Sequence, residues 1–189
     1  MKKMSFVLAT VLVSTLSTAT FAESHGKSLG AHVHGSIKLE MAVEGKTIEL
    51  ELEGPAESFL GFEYLPMTSK EKTKYSEAES LWKKDLLTKL VVLDSKLGCT
   101  FSENSFKQDI DEDETKEAQA KLKKGEKKES GVHSDIEAKA KITCTQDLKG
   151  QSVTIGVRKH YPSIKKLVIE MVGNETKTIE AKELETVKL

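Results

Sequence analysis

The sequence predicts an α+β, β-rich fold built from two similar antiparallel β units, each running strand, hairpin, helix, strand, strand, and related by an approximate internal two-fold axis. Three observations carry that expectation. Apolar and charged residues alternate over several short stretches, which is the period of half-buried strands. One segment after Pro66 opens with a helix start signal. The order of elements repeats, with Gly45-Lys46-Thr47-Ile48-Glu49-Leu50 echoed by Gly150-Gln151-Ser152-Val153-Thr154-Ile155, and Lys89-Leu90-Val91-Val92 by Lys166-Leu167-Val168-Ile169.

Met1–Ala22 reads as a secretory signal peptide. Lys2 and Lys3 give the charged start, Phe6–Leu16 the apolar run, and Thr20-Phe21-Ala22 the small residues before a cut at Glu23. Residues 23–30 read as a flexible mature N-terminus. Ile37, Leu39, Met41 and Val43 then alternate with polar residues as a strand. Glu44-Gly45-Lys46 turns, and Ile48, Leu50 and Leu52 alternate with Glu49, Glu51 and Glu53 as the second arm of a hairpin that Gly54-Pro55 ends. Phe59, Leu60, Phe62, Tyr64 and Leu65 form a connection expected to pack on the core. Thr68 and Glu71 have capping-box spacing, so a helix should run from about Ser69 toward Leu87 with Tyr75, Ala78, Leu81 and Trp82 inward.

Leu90–Leu93 and Cys99–Phe106 read as strands. Residues 107–131 carry an acidic block, then a basic block, and almost nothing apolar, so they are expected to be a charged flexible linker. From residue 132 the alternation returns. Ile136, Ala138, Ala140, Ile142 and Cys144 make one strand; Val153, Ile155 and Val157 make the next. Pro162 starts a helical turn, Leu167–Val172 is a strand, and Thr176–Ala181 pairs back on it. The expected organisation is a signal peptide (1–22), a first half-domain (23–106), the linker (107–131) and a second half (132–189) sharing one core.

Composition narrows the function. Among 189 residues, 38% are hydrophobic, enough for one core, and 31% are charged. The net charge is −1, and removing Met1–Ala22 takes two lysines and no acid, leaving −3. No excess of cations exists to neutralise phosphates, so nucleic acid is not an expected partner. No apolar span beyond the N-terminus is long enough for a membrane helix, so no membrane insertion is expected after signal cleavage. In an oxidising compartment the two cysteines, Cys99 and Cys144, are expected to form one disulfide, stabilising by about 4 kcal/mol in the chain-entropy model. A pair of metal-binding thiolates is the rival reading, weakened because neither has His or Cys nearby.

The histidines point to a metal. In an extended chain, residues two apart share a face. His32 and His34 precede a strand whose core positions are odd, so they fall on the opposite, polar side. His133 and Asp135 precede a strand whose core positions are even, and again lie off the core face. Each unit thus begins with a pair of metal-competent side chains. Three imidazoles and one carboxylate suit tetrahedral zinc, and a two-fold axis passing near both strand starts would bring them together. Copper(II) or nickel remains chemically allowed. His25 could add a ligand from a flexible arm, whereas His160 fits a structural or solvent-exposed role. Neutral imidazoles are required, so affinity should fall as pH drops through the histidine range.

No enzyme signature competes. There is no Gly-rich phosphate loop, Gly-x-Ser-x-Gly or His-Glu-x-x-His. A set of four protein ligands also leaves no open position for a substrate, unlike catalytic zinc.

Gly30-Ala31-His32-Val33-His34-Gly35, Ala42-Val43-Glu44-Gly45, Ile48–Ala56 and Leu60-Gly61-Phe62-Glu63 resemble the ZrgA family of periplasmic zinc-uptake proteins, as do Gly98-Cys99, His133-Ser134-Asp135-Ile136, Cys144, and Tyr161-Pro162 with Leu167. The resemblance spans the chain from Gly30 onward. It implies a β-rich, internally symmetric periplasmic protein that helps acquire scarce zinc, with His32, His34, His133 and Asp135 on its histidine motifs. Many members carry a long His-rich middle stretch; here Asp109–Ser130 holds no histidine, which argues against high-capacity zinc collection.

The expected function is capture of zinc ion in the periplasm and its delivery to a zinc importer or its periplasmic or outer-membrane components. The alternative is a metal-independent, disulfide-stapled β interaction module of the cell envelope.

Overall fold

In the computed structural model, residues 35–110, 133–172 and 177–189 are described. The expected signal peptide, His25, His32, His34, and residues 111–131 of the expected linker lie outside them. Among the described residues nine strands form two sheets, one of six strands and one of three. β1 (Ser36–Glu44) and β2 (Thr47–Pro55) form the expected hairpin, closed by Gly45-Lys46 with Gly45 at φ +55°. Ile37, Leu39 and Met41 are buried on one side and Ile48, Leu50 and Leu52 face the same core.

After Pro55 the chain makes one turn of helix, α1 (Glu57–Leu60), and then the long helix α2 (Ser69–Asp85). The Thr68 hydroxyl accepts the Glu71 N–H at 3.3 Å, and the Glu71 carboxylate accepts the Thr68 N–H at 2.8 Å, so the capping box is complete. The same carboxylate takes the Met67 N–H and the Tyr64 hydroxyl. These donors, the Thr68 N–H foremost, pull its pKa down to about 2 from 4.5. A depressed carboxylate stabilises above its unfolded pKa and loses that stability as pH falls toward its folded value. Hence Glu71→Ala should lower the melting temperature at pH 6, and the gap to the parent should close between pH 4.5 and about 2. A gap that stays constant on acidification would refute this role.

A π-turn (Leu86–Leu90) carries α2 into β3 (Val91–Leu93), and a short 3-10 turn (Ser95–Leu97) leads to β4 (Thr100–Ile110). β4 is kinked where its register with the next strand shifts between Ser102 and Ser105, and Glu103 there has φ +51°. It also runs four residues into the segment expected to be linker, because Lys107–Ile110 find a complete partner in Ser134–Glu137. Then come β5 (Ser134–Thr143), β6 (Ser152–Ile155), a helical turn α3 (Val157–His160), β7 (Lys166–Val172), β8 (Lys177–Ala181) and β9 (Glu185–Lys188).

The large sheet has the order β4-β5-β2-β1-β7-β8, and the small one β3-β6-β9. All pairings are antiparallel except β1–β7, which is parallel and joins the first half of the chain to the second. The fold is therefore the expected β-rich α+β class. The two-fold relation is not seen in its strand pairing. β1 and β2 pair with each other, whereas their counterparts β5 and β6 enter different sheets. Val157, expected in a strand, opens α3 instead, because Ile155 is the last β6 residue paired with β3 and β9. Leu65, expected against the core, is 48% exposed.

One hydrophobic cluster draws on both sheets and on α1 and α2. Trp82 is its largest fully buried side chain, its indole N–H given to the Lys139 carbonyl at 3.3 Å. The Tyr161 hydroxyl, buried under α2, donates to the Ala78 carbonyl at 2.9 Å. Cys99 and Cys144 are joined as expected. The other face of the large sheet is a lattice of opposite charges, with Lys38 between Glu40 and Glu170, and Lys139 between Glu51 and Glu137. Among the described residues no helix is long and apolar enough to cross a membrane.

Candidate metal centre

β2 is the strand around which the candidate site is organised. β1 lies on one side of it and β5 on the other, both antiparallel, so both begin at the C-terminal end of β2. Asp135 stands opposite Pro55, and continuing the β1–β2 register by two residues sets Ser36 opposite Pro55 from the other side. The two strand starts are thus two strand spacings apart, about 9.5 Å. Juxtaposition of the starts comes from a shared neighbour rather than from a symmetry axis.

The start of β1 is pinned. The Gly35 carbonyl accepts the N–H groups of Lys165 and Lys166, each at 2.9 Å, tying it to the start of β7. Gly35 takes φ +81°, a conformation that suits glycine, and a Cβ there would come within 3.1 Å of the Lys165 side chain. His34 and His32 lie one and three residues before this fixed point in the chain.

The start of β5 is held more elaborately. Ser134 is buried and its hydroxyl donates to the Glu63 carbonyl. Gln108, on β4, donates from Nε2 to the Ser134 hydroxyl at 2.8 Å and to the Tyr64 carbonyl at 3.1 Å. The Ala56 N–H donates to the Ser134 carbonyl at 2.8 Å. The 63–64 loop is also held by Phe62, buried and stacked on Tyr64 at 5.1 Å, and by the bond from Tyr64 to Glu71.

His133, just before β5, projects from this platform with its side chain 54% exposed. Its Nδ1–H donates to Glu63 Oε2 at 2.7 Å, and that carboxylate is only 15% exposed. A carboxylate oxygen only accepts, so Nδ1 carries a proton, and in the neutral ring the lone pair is then on Nε2. Glu63 is the residue that sequence reasoning did not assign. It lies in one of the family-like stretches, but its partner is 70 residues away and no periodicity links them.

The electrostatics around β5 favour a cation. Asp135 faces Asp109 on β4, and Glu137 faces Glu53 on β2, two like-charged pairs in direct opposition. Burial first, then the charges of Asp135, Glu51 and Glu137, push the Glu53 carboxyl above its ordinary range. Glu137 is held low, chiefly by the hydrogen bond from Lys139. Among the described residues no group of three or more His, Cys, Asp or Glu side chains is arranged to hold a metal ion. A metal site built on His133 and Asp135 would need further ligands from outside those residues. His160 ends α3 among Lys159, Lys89 and Asp85; burial and then the two lysines lower its pKa.

A family model described as ZrgA family zinc uptake protein matches residues 31–187. The chain belongs to the ZrgA family. The match takes in every strand of both sheets except the last residue of β9. No curated relative matches the chain. Membership gives this ZrgA protein a role in zinc uptake, and nothing in the family description is enzymatic.

Proposed function

We propose that this ZrgA protein captures zinc in the periplasm and passes it to an importer, using a site of His32, His34, His133 and Asp135. The observation that supports it best is His133 itself: an exposed imidazole whose Nδ1–H is given to a largely covered carboxylate, which makes Nε2 the nitrogen that would ligate the ion. Asp135 two residues on supplies a hard oxygen in an acidic field, and Gly35, which follows His34 in the chain, is fixed at the same strand end. The paired cysteines and the leader-like N-terminus support an oxidising compartment.

Zinc bound to the native state alone should stabilise it by mass action. Metal-stripped protein titrated calorimetrically should take up zinc with sub-micromolar affinity. At free zinc a hundred times the dissociation constant, the gain is about 2.7 kcal/mol, or roughly 5–10 °C in melting temperature. No heat and an unmoved melting temperature at micromolar zinc would reject capture and favour the disulfide-stapled interaction module.

A further inference from the structure

We infer that Glu63 is a positioning residue of the zinc site: by accepting the Nδ1–H hydrogen bond of His133 it fixes the tautomer and ring orientation that present Nε2 to the metal. The inference rests on the reading of His133 as a ligand and adds a residue that does not itself touch the ion.

Three features of the pair support it. The first is the geometry: at 2.7 Å the contact is a short, charge-assisted hydrogen bond. The second is its asymmetry, since Glu63 is sunk to 15% exposure while the imidazole stands at 54%. Stability alone does not account for such a pair, because partly exposed ion pairs contribute little. The third is support from below. The Glu63 backbone carbonyl accepts the Ser134 hydroxyl, and Gln108 ties Ser134 to Tyr64. Glu63 and His133, distant in sequence, are therefore fastened to each other through the residue next to each. A ring aimed this way has little freedom left to lose when the ion arrives, which favours binding.

The test compares zinc affinity of the full mature chain with Glu63→Ala, Glu63→Gln and His133→Ala, alongside nitrogen NMR of the His133 ring in metal-free protein. The parent should show the Nδ1–H tautomer and Glu63→Ala a shift toward Nε2–H. Glu63→Ala should bind zinc about 10–100-fold more weakly, the usual cost of losing a partner behind a metal-bound histidine. Glu63→Gln, whose amide oxygen still accepts from Nδ1, should recover most of that loss.

An Nε2–H tautomer in the parent would overturn the inference. So would a Glu63→Ala chain that binds like the parent while His133→Ala does not, and the reading of the site would then survive. Equal losses in Glu63→Gln and Glu63→Ala would make Glu63 a ligand rather than a positioning residue. Unchanged affinity in His133→Ala would remove the site reading and this inference together. If Glu63→Ala fails to fold, the tautomer and Glu63→Gln still decide.

Discussion

Alanine at His133 is expected to weaken zinc binding by at least about a hundred-fold while leaving the metal-free fold intact. The size follows from comparing roles. Losing a residue behind a ligand costs about 10–100-fold, and losing one of four ligands should cost more, on the order of 3–4 kcal/mol or 10²–10³-fold. The fold should tolerate the change because the imidazole is 54% exposed, precedes β5 rather than pairing within it, and fills no part of the core. Surface replacements of this kind usually move stability by no more than about 0.5 kcal/mol. Alanine at His34 should lower affinity comparably. Calorimetry against metal-stripped variants, with melting curves as the folding control, checks both. Parent-like affinity in the two variants together would place the metal elsewhere.

Replacing Cys99 and Cys144 with alanine should cost about 4 kcal/mol, given a sequence separation of 45 residues. For a chain of this length that is roughly 8–16 °C in melting temperature, out of a total stability of about 5–15 kcal/mol. The bridge closes one end of the β4–β5 pair, next to Thr100 opposite Thr143, where the Thr145 N–H also reaches the Leu97 carbonyl at 2.9 Å. The candidate metal centre is at the other end of that pair, where Ile110 faces Ser134. Zinc affinity measured well below the melting temperature should therefore survive loss of the bridge. A melting temperature within 2–3 °C of the parent's, about 1 kcal/mol, would show that the bridge constrains the unfolded chain far less than the entropy model requires.

Much of the local structure was legible because it depends on neighbours in the chain. Alternation at Ile37–Met41, Ile48–Leu52 and Ile136–Ile142 marks strands whose buried positions are the expected ones. The helix start at Thr68 and Glu71 was written in two side chains three apart. Val157 misled for a physical reason: an apolar residue at the end of an alternating run suits a strand or one turn of helix equally, and the end of the β6 pairings decided between them. Leu65 misled because an apolar residue in a loop carries no period, and its neighbours Phe62 and Tyr64 took the inward places.

The sequence by itself determined which residues of β1, β2 and β5 face inward, where α2 begins, that the only two cysteines would pair, and that His133 and Asp135 lie off the core face of β5. Beyond the β1–β2 and β7–β8 hairpins, tertiary structure alone decided which strands became neighbours, because backbone N–H and C=O groups are the same in every strand and do not encode a partner. Packing of one shared core sent β6 to the small sheet and β5 to the flank of β2. That choice brought the starts of β1 and β5 to the same strand end and set Glu63 beneath His133, a contact between residues 70 apart that only the folded chain can make.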